Sequence, residues 1–162
     1  MSAPPTEPTT NEPPPNEHWL DMMMRGEGAP PEHARSLKFD TTLKLTRWEE
    51  GAAFCDWTLL KEHCSPMGFA FGGYVGCVVD QAAVFAMSSI EGGFHLTQDM
   101  RLTYFRPMAP GDFKVEARIV NRSRTAAFVE VLVLTPEGKL CCKAALMNML
   151  RERGDFTAIP QG

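Results

Sequence analysis

A single acid, Asp80, sits inside an otherwise apolar run from Gly68 to Ile90. If Gly72 opens a helix there, the 3.6-residue period puts Gly76, Cys77, Asp80, Ala83, Val84 and Met87 on one face. Val75, Val78, Val79, Ala82, Phe85 and Ala86 take the other. A helix that is apolar all round belongs in a core, where an unpaired ionised carboxylate costs several kcal/mol. Asp80 is therefore either bonded to a group far away in sequence or set in a cleft, where a poorly solvated carboxylate suits a general base. The pair Gly72-Gly73 offers a complementary property. N–H groups at a helix N-terminus lack intrahelical acceptors and sit at the positive end of the dipole, and glycine lets a ligand come close to the backbone. Such a turn suits a developing negative charge. Eight helical residues separate Gly72 from Asp80, about 12 Å along the axis, which is too far for both to serve one reaction centre. Two copies of the chain, each lending one group, would bring them together.

The elements that must hold these groups follow from the flanking pattern. Leu37 to Leu60 shifts toward period two, with a turn at Glu50-Gly51, and predicts two antiparallel strands. His63 to Phe71 is an irregular connection broken by Pro66 and Gly68. The helix then runs to Glu91-Gly92-Gly93, a glycine stop. His95 to Arg106 reads as a long strand with Leu96, Met100, Leu102 and Tyr104 on one face and Thr97, Asp99, Arg101 and Thr103 on the other. Strands at 113–120, 126–134 and 139–150 follow, the last two joined by the turn Pro136-Glu137-Gly138. Two strands, one long helix and four strands predict an α+β domain: a strongly bent antiparallel sheet of about six strands wrapped around one central helix, since only such a wrap covers every side of it. Exposed sheet edges favour pairing with a second copy.

Composition narrows the class. The chain has 162 residues, 44% hydrophobic and 22% charged, as expected for one ordinary domain. A net charge of -4 and a pI near 5.6 argue against a nucleic-acid surface. Cysteines at 55, 64, 77, 141 and 142 have neither CxxC spacing nor clustered histidines, so neither a zinc site nor a disulfide scaffold is signalled. No secretory signal fits the first residues, and a cytoplasmic protein is expected. The stretch 72–90 approaches membrane-spanning length, but Asp80 at its centre would cost about 2.5–3.5 kcal/mol to insert. Residues 1–17 are rich in Pro, Thr and Glu and read as a disordered tail. Residues 1–36 together are expected to be a disordered or loosely docked arm, 37–154 the folded domain and 155–162 a tail.

The series G-x-x-F-G-G over Gly68 to Gly73, Asp80 seven residues on, and Thr97-Gln98-Asp99-Met100-Arg101-Leu102-Thr103-Tyr104-Phe105-Arg106-Pro107 with Gly111 together resemble the hotdog-fold thioesterases of the phenylacetate-pathway (PaaI-like) type. The resemblance spans roughly residues 40–150. It implies hydrolysis of an acyl-CoA thioester in a homodimer or dimer of dimers. Asp80 would be the base or nucleophile, the Gly72 N–H the oxyanion donor, and Thr97 the hydroxyl that helps hold the attacking water. Coenzyme A enters only as part of the substrate, with no further cofactor or metal. The family pattern N-x-x-G-x-x-H-G-G departs here at two places: its asparagine falls on Ser65 and its histidine on Phe71, which cannot donate a hydrogen bond. Gly73, Phe71, Ser65 and Met67 are the expected substrate-binding residues. Phe69, Tyr74 and Met87 join Phe71 and Met67 as candidates for an apolar or aromatic acyl pocket.

Each signal also has a plain structural role open to it: Asp80 bonded to backbone, the glycines a packing turn, Thr97 a strand former. A non-catalytic hotdog module that binds an acyl-CoA or a protein partner is the alternative, favoured by Phe71 and Ser65. A dehydratase of the same fold ranks last, because no histidine lies between Gly68 and Phe94.

Overall fold

A computed structural model describes residues 17–90 and 94–151. The tail expected over the first residues, the glycine stop at Glu91-Gly92-Gly93 and the C-terminal tail lie outside the described residues, Glu17 excepted. Six strands form one sheet in the order β1-β2-β4-β5-β6-β3, with every neighbouring pair antiparallel. They are β1 (Leu43–Glu49), β2 (Ala52–Leu59), β3 (Phe94–Tyr104), β4 (Gly111–Arg122), β5 (Ala126–Leu134) and β6 (Leu140–Arg151). Three short helices, α1 (Trp19–Met24), α2 (Glu32–Ser36) and α3 (Phe39–Thr42), precede β1, and α4 (Gly72–Ser88) lies between β2 and β3. The expected order of two strands, a long helix and four strands is the observed one.

Alternation explains how the sheet holds α4. Cys55, Trp57 and Leu59 on β2, Val115 and Ala117 on β4, Val129, Val131 and Val133 on β5, and Cys142, Ala144 and Leu146 on β6 are all at most 2% exposed. Against them α4 buries Val75, Val78, Val79, Ala82, Phe85 and Ala86. Burying each valine contributes about 1.5–3 kcal/mol before ordering entropy is subtracted. The helix is nevertheless not enclosed on every side. Cys77, Gln81, Val84 and Ser88, spaced three or four apart along one stripe, and Asp80 beside them stay partly exposed. At 17 residues α4 is one of the described helices, none of which is long and apolar enough to cross a membrane.

Two local departures from the sequence pattern matter for the site. The strand expected from Leu37 begins only at Leu43, because residues 38–42 close a helical turn in which Thr42 Oγ1 donates to the Lys38 carbonyl at 2.7 Å. In β3 the register shifts between Thr97 and Asp99, where Gln98 is an extra residue facing none of β6. Met100, Leu102 and Tyr104 pair with Leu146, Ala144 and Cys142, the inward positions of β6. Strict alternation from Met100 would turn Thr97 away from the helix, as the pattern of His95–Arg106 predicts. The bulge corrects that: Thr97 pairs with the buried Asn148 and reaches α4.

Residues 17–42 pack on the body at several points. Leu20 is fully buried, Trp48 Nε1 donates to Asp21 Oδ1 at 2.8 Å, and Tyr74 donates its hydroxyl proton to the Leu37 carbonyl at 2.8 Å. His33 Nε2 lies 3.1 Å from Gln81 Oε1 on α4.

Candidate functional site

The loop before α4 sets the geometry of its first turn. Gly68 takes φ +84, a conformation that favours glycine, and its N–H bonds to the Ser65 carbonyl at 2.9 Å. Ser65 N–H donates to Phe69 O at 2.7 Å, Ala70 N–H to Met108 O at 2.8 Å and Phe71 N–H to His63 O at 2.9 Å. The chain is thereby pinned up to the residue before the helix. Phe71 then occupies the N-cap position with extended backbone and no side-chain cap. A phenyl ring has no acceptor, so the N–H groups of Gly72 and Gly73 have no hydrogen bond among the described residues. The donors that an oxyanion needs are left open.

Gly72 is covered from one side only. Tyr104 donates its hydroxyl proton to the Gly72 carbonyl at 2.6 Å, and burial pushes the phenol's pKa up, the nearby Cys142 adding to this. A Cβ placed on Gly72 would meet that hydroxyl at 3.2 Å, and one on Gly73 would meet the Phe71 ring at 2.9 Å. Beside this turn opens a cleft of about 330 Å³ lined by Phe69, Ala70, Gly72 and the segment Tyr104 to Met108. Arg106 is at its wall, with Nη1 donating to the Leu140 carbonyl at 2.7 Å.

Asp80 sits two turns further along α4, partly buried. Thr97 Oγ1 donates to its Oδ1 at 2.7 Å, and Oδ2 carries no hydrogen bond among the described residues. His95 precedes Thr97 by two residues and pairs with Leu150, on the inward side of β6 as Asn148 is. Burial lowers the pKa of His95 while the Asp80 charge acts the other way, and the net effect is downward. This imidazole is neutral at pH 7.

β3 thus lies along α4 in the opposite direction: Tyr104 at Gly72, Met100 and Leu102 where a Cβ on Gly76 would meet them at 3.5 and 3.9 Å, Thr97 at Asp80. Of the expected residues, the structure brings Asp80 and Thr97 together and leaves Gly72 with Gly73 and Phe71 at the far end of the seam. Met67 is 82% exposed in the loop and Ser65 only partly buried; neither lines the cleft. Tyr74 and Met87, proposed for an acyl pocket, belong to the core at 8% and 2% exposure. Tyr104, Phe105 and Asn148 were not singled out from the sequence. Tyr104 and Phe105 lay within the quoted strand motif, and Asn148 was visible as the polar member of the alternating run Cys142, Ala144, Leu146, Asn148.

Residues 67–142 match the family model described as the thioesterase superfamily. The chain has the hotdog fold of solved thioesterases. Its fold is similar to the phenylacetic acid degradation protein PaaI of Thermus thermophilus, solved as a mutant: 26% identity, 75% of this chain and 100% of that one covered, TM-score 0.66. A hypothetical thioesterase of Streptococcus pneumoniae TIGR4, crystallised with coenzyme A, superposes with TM-score 0.66 at 18% identity, covering 74% of this chain and 97% of that one. Over 103 residues this hotdog chain is 24% identical to a Saccharolobus solfataricus protein named a candidate esterase, covering 63% of this chain and 74% of that one.

Proposed function

We infer that this protein hydrolyses an acyl-CoA thioester with an apolar or aromatic acyl group, at sites shared between two copies of the chain. The observation that carries it is the α4–β3 seam, which has an open carboxylate oxygen on Asp80 at one end and open N–H donors on Gly72 and Gly73 at the other. β3 is an edge strand with Met100 and Tyr104 37% and 47% exposed, and Phe105, just past its end, is 53% exposed. An open edge of this kind is a template for another strand. Antiparallel pairing of two β3 strands about a twofold axis would lay one chain's Asp80 end against the other's Gly72 end. The aromatic cleft beside Gly72 suits the acyl group, and the coenzyme A bound by the Streptococcus pneumoniae relative supports the ligand class.

In this mechanism Asp80 Oδ2 takes a proton from a water held near Thr97, and the hydroxide attacks the thioester carbonyl carbon. The resulting oxyanion is held by the partner chain's Gly72 N–H, and collapse of the tetrahedral adduct breaks the C–S bond. The proton on Asp80 then passes to the leaving thiolate. Phe71 brings no imidazole to this step.

Asp80→Asn tests the base: kcat should fall by at least about 100-fold with an unchanged melting temperature. Full retained activity would sink the assignment. Mixing refolded Asp80→Asn and Gly72→Val chains tests the shared site, because each mixed dimer regains one intact Asp80–Gly72 pair. Activity above either parent supports it, and mixtures as inactive as their parents reject it. The second reading, a module that binds acyl-CoA without turnover, is favoured by the exposed Phe71 ring lying against Gly73. Tight binding by the unaltered protein without hydrolysis would select it.

A further inference from the structure

Asn148 is 1% exposed, a depth at which an amide needs partners. Its Oδ1 is 3.1 Å from Thr97 Oγ1, while the same hydroxyl lies 2.7 Å from Asp80 Oδ1. Asn148 Nδ2 is buried with no hydrogen-bond partner among the described residues. These three facts conflict, since a threonine hydroxyl has one proton for two oxygen neighbours. The shorter contact and the negative charge direct that proton to Asp80. Oγ1 then presents lone pairs to Asn148, which repel a carbonyl oxygen and accept an amide N–H.

The oxygen and nitrogen of an asparagine amide are assigned from their hydrogen-bond network. Turning the amide by 180° brings Nδ2 onto Thr97 and moves Oδ1 to where the nitrogen had nothing to donate to. An underused carbonyl is tolerated more readily than an orphaned N–H. We propose that Asn148 is a positioning residue whose amide donates to Thr97 Oγ1, which in turn donates to Asp80 Oδ1. The chain of donors runs in one direction and starts from a side chain that the β6 core holds fixed. It fixes the Thr97 rotor, keeps Oδ1 as an acceptor and leaves Oδ2 as the oxygen that meets water. This role rests on Asp80 being the base.

Two measurements on the full chain decide it. In protein labelled with ¹⁵N-asparagine, the Asn148 side-chain amide is the signal missing from Asn148→Leu. Thr97→Val should shift that signal and speed its hydrogen exchange about tenfold or more, because the change takes away the hydroxyl oxygen that accepts from the amide, along with the proton given to Asp80. An unmoved signal overturns the proposal, and this readout does not depend on turnover. For hydrolysis, Asn148→Leu should lower kcat roughly tenfold with little change in KM, and should add little further loss in a Thr97→Val background. An equal fold loss in both backgrounds would mean a packing role and overturn the positioning one. If the unaltered protein hydrolyses no acyl-CoA while the amide signal still responds to Thr97→Val, the thioesterase reading fails and the donor chain stands.

Discussion

Gly72 shows how little space separates a usable backbone donor from a blocked one. The Tyr104 hydroxyl is bonded to its carbonyl, and an added Cβ would come within 3.2 Å of that oxygen. Gly72→Ala should therefore push Tyr104 aside and crowd the face on which an acyl oxygen approaches. The expected result is a kcat/KM lowered about tenfold or more with the melting temperature within a few degrees of the original; unchanged kinetics would place the oxyanion elsewhere. At this scale the sequence was informative where chemistry is local. A lone acid in an apolar helix and a glycine pair at its start are conspicuous because each breaks a pattern. Tyr104 was not conspicuous, since an aromatic residue on a strand is ordinary, and only the packing of β3 along α4 shows what its hydroxyl does.

For the elements, α4 begins without a cap. A residue that accepts from the first N–H groups usually adds about 0.5–2 kcal/mol to a helix, and Phe71, 61% exposed, contributes little burial to offset that loss. Phe71→Asp should raise stability by about 1 kcal/mol in urea denaturation while lowering hydrolysis, since the new carboxylate would take up the N–H groups and repel an oxyanion. A variant that is both more stable and fully active would show that these donors are not used. The start of α4 and both ends of β5 follow closely from helix period, turn residues and β-branched runs, whereas α4 ends at Ser88, short of the expected glycine stop. The face of Thr97 did not, because a single extra residue, Gln98, reverses alternation, and nothing in the side-chain pattern of His95–Arg106 marks where that residue falls. The helical turn before β1 was also hidden, because four residues are too few to display a 3.6-residue period.

In the molecule as a whole, the loop below α4 is held by an uncharged histidine. His63 stacks on Tyr74 with ring centroids 3.8 Å apart, its Nδ1 is buried with no partner among the described residues, and burial lowers its pKa from the ordinary 6.5. The unfolded chain takes up this proton first as pH falls, so folding stability declines from about pH 7 downward through the lowered folded value. His95 acts in the same direction. Unfolding in urea at pH 7.5 and 5.5 should show this loss, and His63→Phe, which keeps the stack, should make it shallower; an unaltered slope would mean that His63 does not titrate on unfolding. The overall architecture was legible because strand order and an all-apolar helix allow few arrangements. The placing of α1 to α3 was not, since their anchors, Leu20 in the core and Trp48 on Asp21, are single long-range contacts without a repeating pattern.

The seam along which β3 runs beside α4 also has a kinetic meaning. Under the proposed mechanism its two ends hold half of a reaction centre each, and neither half is complete within one chain. Activity per chain then obeys mass action: it falls on dilution as dimers separate, and returns when substrate, bridging the two halves, draws them back together.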